Sequence, residues 1–239
     1  MIKSISVVIP ALNEEDAIAQ VIADIPKNVC TPDGHTGAIV QEIIVVDNGS
    51  TDATAAIAKR SGARVVDEPR RGYGAACLAG IATLAETPPD IVVFLDGDYS
   101  DYPTDLPRLL QPILEGRAAL VIGARKAYNA QDALLPQARF GNWLACLLIH
   151  RFFGVHYTDL GPFRAIRYSQ LLALNMQDKT FGWTVEMQLK AAKQAIPACE
   201  VPVRYRKRIG ISKITGTLTG SLKAGYKILT TLIYHRFLA

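Results

Sequence analysis

The stretch Ile91-Val-Val-Phe-Leu-Asp-Gly-Asp98 decides the reading of this chain. Its five apolar residues have the pattern of a strand buried on both faces, and they deliver two carboxylates, Asp96 and Asp98, to the strand's end. Hard divalent cations take oxygen ligands, and a diphosphate must have its charge neutralised before a group attached to it can leave. Asp and Gly also build ordinary acidic turns, so the pair needs company to count as a site. Two earlier runs supply it, Ile5-Ser-Val-Val-Ile-Pro-Ala-Leu-Asn-Glu-Glu15 and Glu42-Ile-Ile-Val-Val-Asp-Asn-Gly-Ser-Thr-Asp52, each a strand ending in a polar cluster. Three such ends in one sheet form one site.

Around these runs, Val- and Ile-rich segments alternate with helical patterns, which predicts an α/β fold: a single Rossmann-like domain with a mainly parallel central sheet flanked by helices. Strands are expected at residues 5–9, 43–46, 63–66 and 91–95, and Asn13-Glu-Glu-Asp16 reads as the cap of a first helix. Residues 27–41 read as a loop, 50–61 and 74–84 as helices. Further on, helices are expected at 105–115, 139–153 and from 181, strands at 118–122 and 200–205, and a charged turn at 158–164. Residues 1–217 form the domain, and 218–239 form an amphipathic helix that belongs to it or contacts a membrane or a second copy.

With 239 residues, 49% hydrophobic and 20% charged, the chain builds one large core and is not disordered. Its net charge of +4 is too mild to argue for nucleic acid and admits an anionic ligand or a membrane surface. Cys30, Cys77, Cys146 and Cys199 lack metal or disulfide spacing and are expected to be buried thiols in a reducing compartment. Met1-Ile-Lys-Ser runs into a strand without a signal peptide, and no segment approaches the roughly 18 apolar residues of a spanning helix. The expected location is cytoplasmic, at the inner face of the membrane.

Arg71-Gly-Tyr-Gly-Ala-Ala76 opens a helix after the third strand, and such Gly-rich turns can hold phosphate on backbone N–H groups. It is not a dinucleotide fingerprint, since Cys77 stands where the third glycine belongs. Asp47 can accept from a base N–H, and Asn13 and Glu14 can hold ribose or phosphate; each serves equally as a cap or turn residue.

Val8-Ile-Pro-Ala-Leu-Asn-Glu14, Val46-Asp-Asn-Gly-Ser-Thr-Asp52, Arg71-Gly-Tyr-Gly-Ala-Ala76 and Asp96-Gly-Asp98, in this order, resemble inverting glycosyltransferase family 2. The resemblance implies a GT-A fold, a nucleoside-diphosphate-sugar donor and Mg2+ or Mn2+ on Asp96 and Asp98. It places Pro10, Leu12, Asn13 and Glu14 along the nucleoside, Asp47 on the base, and Asp96 and Asp98 on ribose, metal and diphosphate. Gly72 and Gly74 belong to the nucleotide contact. Asn48 is a departure, because the family often carries Asp there.

The second half is similar to the branch containing dolichyl-phosphate mannose and glucose synthases, through Gly123-Ala-Arg125, Arg139 with Asn142, Gly161-Pro-Phe-Arg164 and Arg208-Ile-Gly-Ile-Ser-Lys213. An acceptor phosphate is already an anionic nucleophile and needs positioning more than deprotonation. On this resemblance Arg125 and Arg139, with Asn142, Asp159 and Arg164, address a polyprenyl phosphate, while Arg208 and Lys213 close over the donor diphosphate. A hydroxyl acceptor would need a general base, for which Asp159 and Glu186 are the candidates. UDP is expected ahead of GDP, and the sugar is expected to be selected around Asp159 to Arg164 and Trp183. The rival readings are transfer to a small hydroxyl acceptor or a glycolipid headgroup, and a nucleotide-sugar-binding protein without turnover.

Overall fold

The computed structural model describes residues 2–30, 34–125, 136–210 and 218–237, without the side chains of 218–224 and 235–237. Strand β1 (Lys3–Ala11) sits in the middle of the sheet, parallel to β3 (Thr36–Asp47) on one side and β5 (Ile91–Phe94) on the other. All four residues of β5 are buried, as an apolar run between covered faces requires. Beyond β5 lie β7 (Arg164–Arg167), β6 (Leu120–Ala124) and β8 (Ala198–Pro202). There β7 is antiparallel to both neighbours and β8 is parallel to β6. The other edge of β3 carries β2 (Asn28–Cys30), antiparallel near its start, and β4 (Arg64–Asp67), parallel at its end.

Side chains on successive strand positions point to opposite faces, so the sheet divides two cores. Val8, Val92 and Phe94 face the core shared with α3 (Tyr73–Thr83), α5 (Pro136–Phe153) and α7 (Trp183–Lys193). Val7, Ile9 and Val93 face the one shared with α1 (Ile18–Asp24), α2 (Thr54–Arg60) and α4 (Leu106–Leu114). Helix α6 (Tyr168–Leu174) follows β7, and α8 (Leu218–Phe237) packs on α5 and α7.

Three sequence expectations change. Residues 27–41 are not one loop: β2 pairs with the first residues of β3, because Thr36-Gly-Ala-Ile-Val supplies a strand edge that short Asn28-Val-Cys30 can complete. The turn at 158–164 continues into β7, whose four residues begin and end in Arg and so carry no strand-like apolar run. Of the four thiols, Cys77 and Cys146 are buried, Cys199 is partly exposed, and Cys30 is exposed on the edge strand β2.

Candidate active site

The register brings the ends of the parallel strands level: Pro10 pairs with Val46, Ala11 with Asp47, and Val8 with Phe94. Ligands of open α/β sheets bind in the crevice beyond such carboxyl ends. A cavity of about 400 Å³ lies there. Pro10, Leu12 and Glu14 line it from β1, Asn48 from β3, Arg71, Gly72 and Tyr73 from the turn before α3, and Asp96, Gly97 and Asp98 from β5. Thr180, Phe181 and Arg208 close it from the second half of the chain.

Asn13-Glu-Glu does not cap α1, whose N-cap is Ala17 without a side-chain bond. These residues instead knit the β1 loop to the β3 loop. The Asn13 N–H donates to Ser50 Oγ at 2.9 Å, the Thr51 N–H to Asn13 Oδ1 at 2.8 Å, and the Glu14 N–H to Thr54 Oγ1 at 2.8 Å. Asn13 holds a φ of 53°, a left-handed conformation that Asn tolerates. Asp47 is not among the residues lining the cavity and accepts the Ser50 N–H at 2.9 Å. Asn48 organises the wall: its Nδ2 donates to the carbonyls of Glu68 and Arg70, both at 2.8 Å, and its Oδ1 accepts the Gly72 N–H at 2.7 Å. A carboxylate could not donate those two bonds, which explains Asn where the family often has Asp.

The Gly-rich turn works by close backbone approach. A Cβ on Gly72 would stand 2.2 Å from the Lys179 carbonyl oxygen, and one on Gly74 2.0 Å from that of Asp178. The Gly74 and Ala75 N–H groups donate to the Thr180 and Lys179 carbonyls, and the Ala76 N–H to that of Gly72. The Gly74 and Ala75 amides are therefore spent holding the 178–181 wall against α3 and the Ala76 amide closes the helix's first turn, so these three do not form a phosphate cradle. Arg71, Gly72 and Tyr73 are the turn's contributions to the cavity.

On the floor, burial and the adjacent Asp98 charge push the Asp96 carboxyl up to about 7. Asp96 Oδ1 is buried without a hydrogen-bond partner. Asp98 Oδ1 accepts the Ser100 N–H at 2.9 Å, and its Oδ2 meets the Arg208 guanidinium at 3.1 Å. Asp101, fully buried nearby with both carboxylate oxygens unpartnered, is pushed well up by burial and by Asp96 and Asp98. The Asp96 and Asp98 carboxylates that line the cavity offer the oxygen donors a hard divalent cation takes. No group of three or more His, Cys, Asp or Glu placed to hold a metal occurs among the described residues. Asp96 and Asp98 would thus hold an ion with coordination positions left for phosphate oxygens and water.

The residues expected at an acceptor are mostly bonded to one another. Arg125 is clamped on Asp159, and Asn142 donates to the Thr158 carbonyl at 3.1 Å and accepts the Leu160 N–H at 2.9 Å. Arg164 is corrected to a structural residue: it is 0% exposed and donates to the carbonyls of Gly161, Thr184 and Leu160 at 3.0, 3.0 and 3.1 Å. Trp183 is likewise corrected from a sugar contact to core, buried edge-on against Phe94 with ring centroids 4.6 Å apart. Glu186 is buried outside the main cavity, accepting the Gln177 and Asp178 N–H groups at 3.0 and 2.8 Å and pairing with Lys190 at 2.7 Å. It fixes the base of the segment whose Thr180 and Phe181 line the site. Arg139 is exposed on α5, and Lys213 lies outside the described residues.

Thr180 and Phe181 carried no sequence signal. Arg71 and Tyr73 belong to the Gly-rich motif, in which the sequence points to the glycines alone.

A sheet of this topology, with paired carboxylates at the carboxyl ends of its parallel strands, is that of a glycosyltransferase with the GT-A fold. The Glycosyl transferase family 2 model matches residues 6–173, and the chain belongs to that family. An uncharacterized glycosyltransferase of Mycobacterium tuberculosis is 36% identical over 222 residues, 92% of this chain and 94% of the relative. A dolichyl-phosphate hexose transferase of Haloferax volcanii is 32% identical over 236 residues, covering 97% and 95%. Among solved structures, glucosyl-3-phosphoglycerate synthase from Mycobacterium tuberculosis, in complex with Mn2+, uridine diphosphate and phosphoglyceric acid, matches with a TM-score of 0.75 at 26% identity. That match covers 99% of this chain and 80% of the other.

Proposed function

We propose that this protein is a metal-dependent inverting hexosyltransferase that moves a hexose from a nucleoside diphosphate, UDP ahead of GDP, to a polyprenyl phosphate. The observation that carries the reading is the cavity itself, which sets Asp96 and Asp98 beside Arg71 and Arg208. Carboxylates with a cation between them and guanidinium groups around them suit a diphosphate leaving group. Mg2+ or Mn2+ on Asp96 and Asp98 would offset the charge that develops on that group.

In the transfer, an oxygen of the acceptor phosphate bonds to the anomeric carbon as the bond from that carbon to the diphosphate oxygen breaks, and the electron pair leaves with the nucleotide. The acceptor needs no deprotonation, which accords with Asp159 and Glu186 both being committed to internal partners. Pro10, Leu12 and Glu14 are assigned to the nucleoside, and exposed Arg139 to the acceptor phosphate.

The full-length relative named for a dolichyl-phosphate acceptor supports the lipid phosphate. So does the surface of α5, where Phe140, Trp143 and Leu147 are 61%, 55% and 45% exposed at helical spacing next to Arg139. Contact with lipid is assigned to this exposed aromatic face; no helix among the described residues is long and apolar enough to cross a membrane. The second reading, a small hydroxyl acceptor, is favoured by the structural match to the phosphoglycerate enzyme.

The test crosses UDP- and GDP-hexoses, with Mn2+ or Mg2+, against a short-chain polyprenyl phosphate and against 3-phosphoglycerate. Sugar in the organic phase is the expected result; product from the soluble acceptor alone overturns the lipid-phosphate assignment.

A further inference from the structure

Arg208 lies across the carboxylates of the donor site rather than pointing at an empty cavity. One terminal nitrogen is 2.7 Å from Glu14 Oε1 and the other 3.1 Å from Asp98 Oδ2. The backbone on either side is anchored. The Arg206 N–H donates to the Ser100 carbonyl at 2.9 Å and the Ile209 N–H to that of Asp98 at 3.0 Å. The Arg206 guanidinium stacks on Tyr99 and Tyr102, at 3.3 and 4.1 Å from the ring centroids. The Arg208 side chain can therefore turn while its backbone stays. Its Nε is buried and without a hydrogen-bond partner, so the guanidinium is only partly satisfied where it lies.

We infer that Arg208 is the built-in counter-cation of the donor site: without nucleotide it occupies Asp98 in place of the divalent ion, and the arriving diphosphate draws it away. The inference rests on the assignment of the metal to Asp96 and Asp98. A divalent ion and the Arg208 guanidinium compete for Asp98, because two cations held on one buried carboxylate repel each other. The ion alone is therefore resisted by Arg208, which has to shift away from it to relieve the repulsion. When a diphosphate comes too, its oxygens serve both cations, and the Arg208 bond to Glu14 is given up. Metal and nucleotide thereby assist each other's binding, reciprocally, with Arg208 as the group both of them move. The positive charge needed on the leaving group is also in place before any donor arrives.

The experiment is titration of the full-length protein with Mn2+ alone, following free Mn2+ by electron paramagnetic resonance, in wild type, Arg208→Gln, Arg208→Lys and Asp98→Asn. The titrations are then repeated with UDP. Arg208→Gln is expected to bind Mn2+ on the order of tenfold more tightly than wild type without nucleotide, and to gain less from UDP. Arg208→Lys, which keeps the charge, is expected to stay closer to wild type, and Arg208→Met, which also removes the charge, carries the comparison if the Gln variant does not fold. Mn2+ affinity unchanged or weakened by loss of the Arg208 charge overturns the inference alone. Mn2+ affinity unchanged in Asp98→Asn overturns the metal assignment beneath it.

Discussion

Arg125 gives Asp159 three hydrogen bonds, from its backbone N–H at 2.7 Å, its Nε at 2.9 Å and a terminal nitrogen at 2.7 Å, joining the end of β6 to the loop before β7. Both side chains are largely buried, and the Asp159 N–H is itself held by Glu200 at 2.9 Å. Breaking a buried pair leaves an uncompensated charge. Asp159→Ala should lower unfolding free energy by about 3 kcal/mol in urea titrations. A loss near zero would return Arg125 to the acceptor.

The same pair makes a pH prediction. Burial raises the Asp159 carboxyl, but the Arg125 charge and hydrogen bonds from Arg125 and Leu160 outweigh it and hold the group below its ordinary value. The folded chain then binds that proton more weakly than the unfolded chain. The stabilisation is full above an unfolded value of about 3.9 and is lost as pH falls through the lower folded value. The stability gap between wild type and Asp159→Asn should therefore be wide at pH 6 and narrow at pH 3. A gap of constant width would show that this carboxylate's charge is not what stabilises.

Arg164 and Arg139 separate structure from acceptor binding. Arg164→Met strands three buried carbonyl groups and should cost about 3 kcal/mol of stability. Arg139→Ala, on an exposed face, should change stability by less than about 0.5 kcal/mol while raising acceptor KM more than donor KM. Equal rises in both KM values would move Arg139 to the donor side.

Gly74→Ala sets a methyl group against the Asp178 carbonyl and must push back the wall bearing Thr180 and Phe181. A loss of about 2 kcal/mol and a raised donor KM are expected together. An unchanged donor KM in a destabilised variant would mean that the wall does not contact the donor.

Phe140→Glu with Trp143→Glu should reduce sedimentation with anionic vesicles at least about fivefold, since aromatic rings at an interface are exchanged for like charge. The thermal midpoint should stay within a few degrees of wild type, because both side chains are exposed. Undiminished vesicle binding would assign the lipid contact to another surface.

The sequence by itself determined what depends on neighbours in the chain. The apolar run of β5 and the level ends of β1, β3 and β5 follow from local alternation and turn chemistry, so Asp96, Asp98 and Glu14 were legible as one site. Charge type alone did not separate arginines that face the cavity from those that serve the scaffold. Arg208 and Arg71 line the site, whereas Arg164 is sealed among carbonyl groups and Arg125 is tied to a carboxylate 34 residues away. Only the tertiary structure decided this, because a buried guanidinium must find its acceptors wherever the packed chain brings them, and those partners leave no local periodicity. The same holds for the far wall. Thr180 and Phe181 reach the donor cavity because Gly72 and Gly74 let two backbones meet, a contact made across more than a hundred residues of chain.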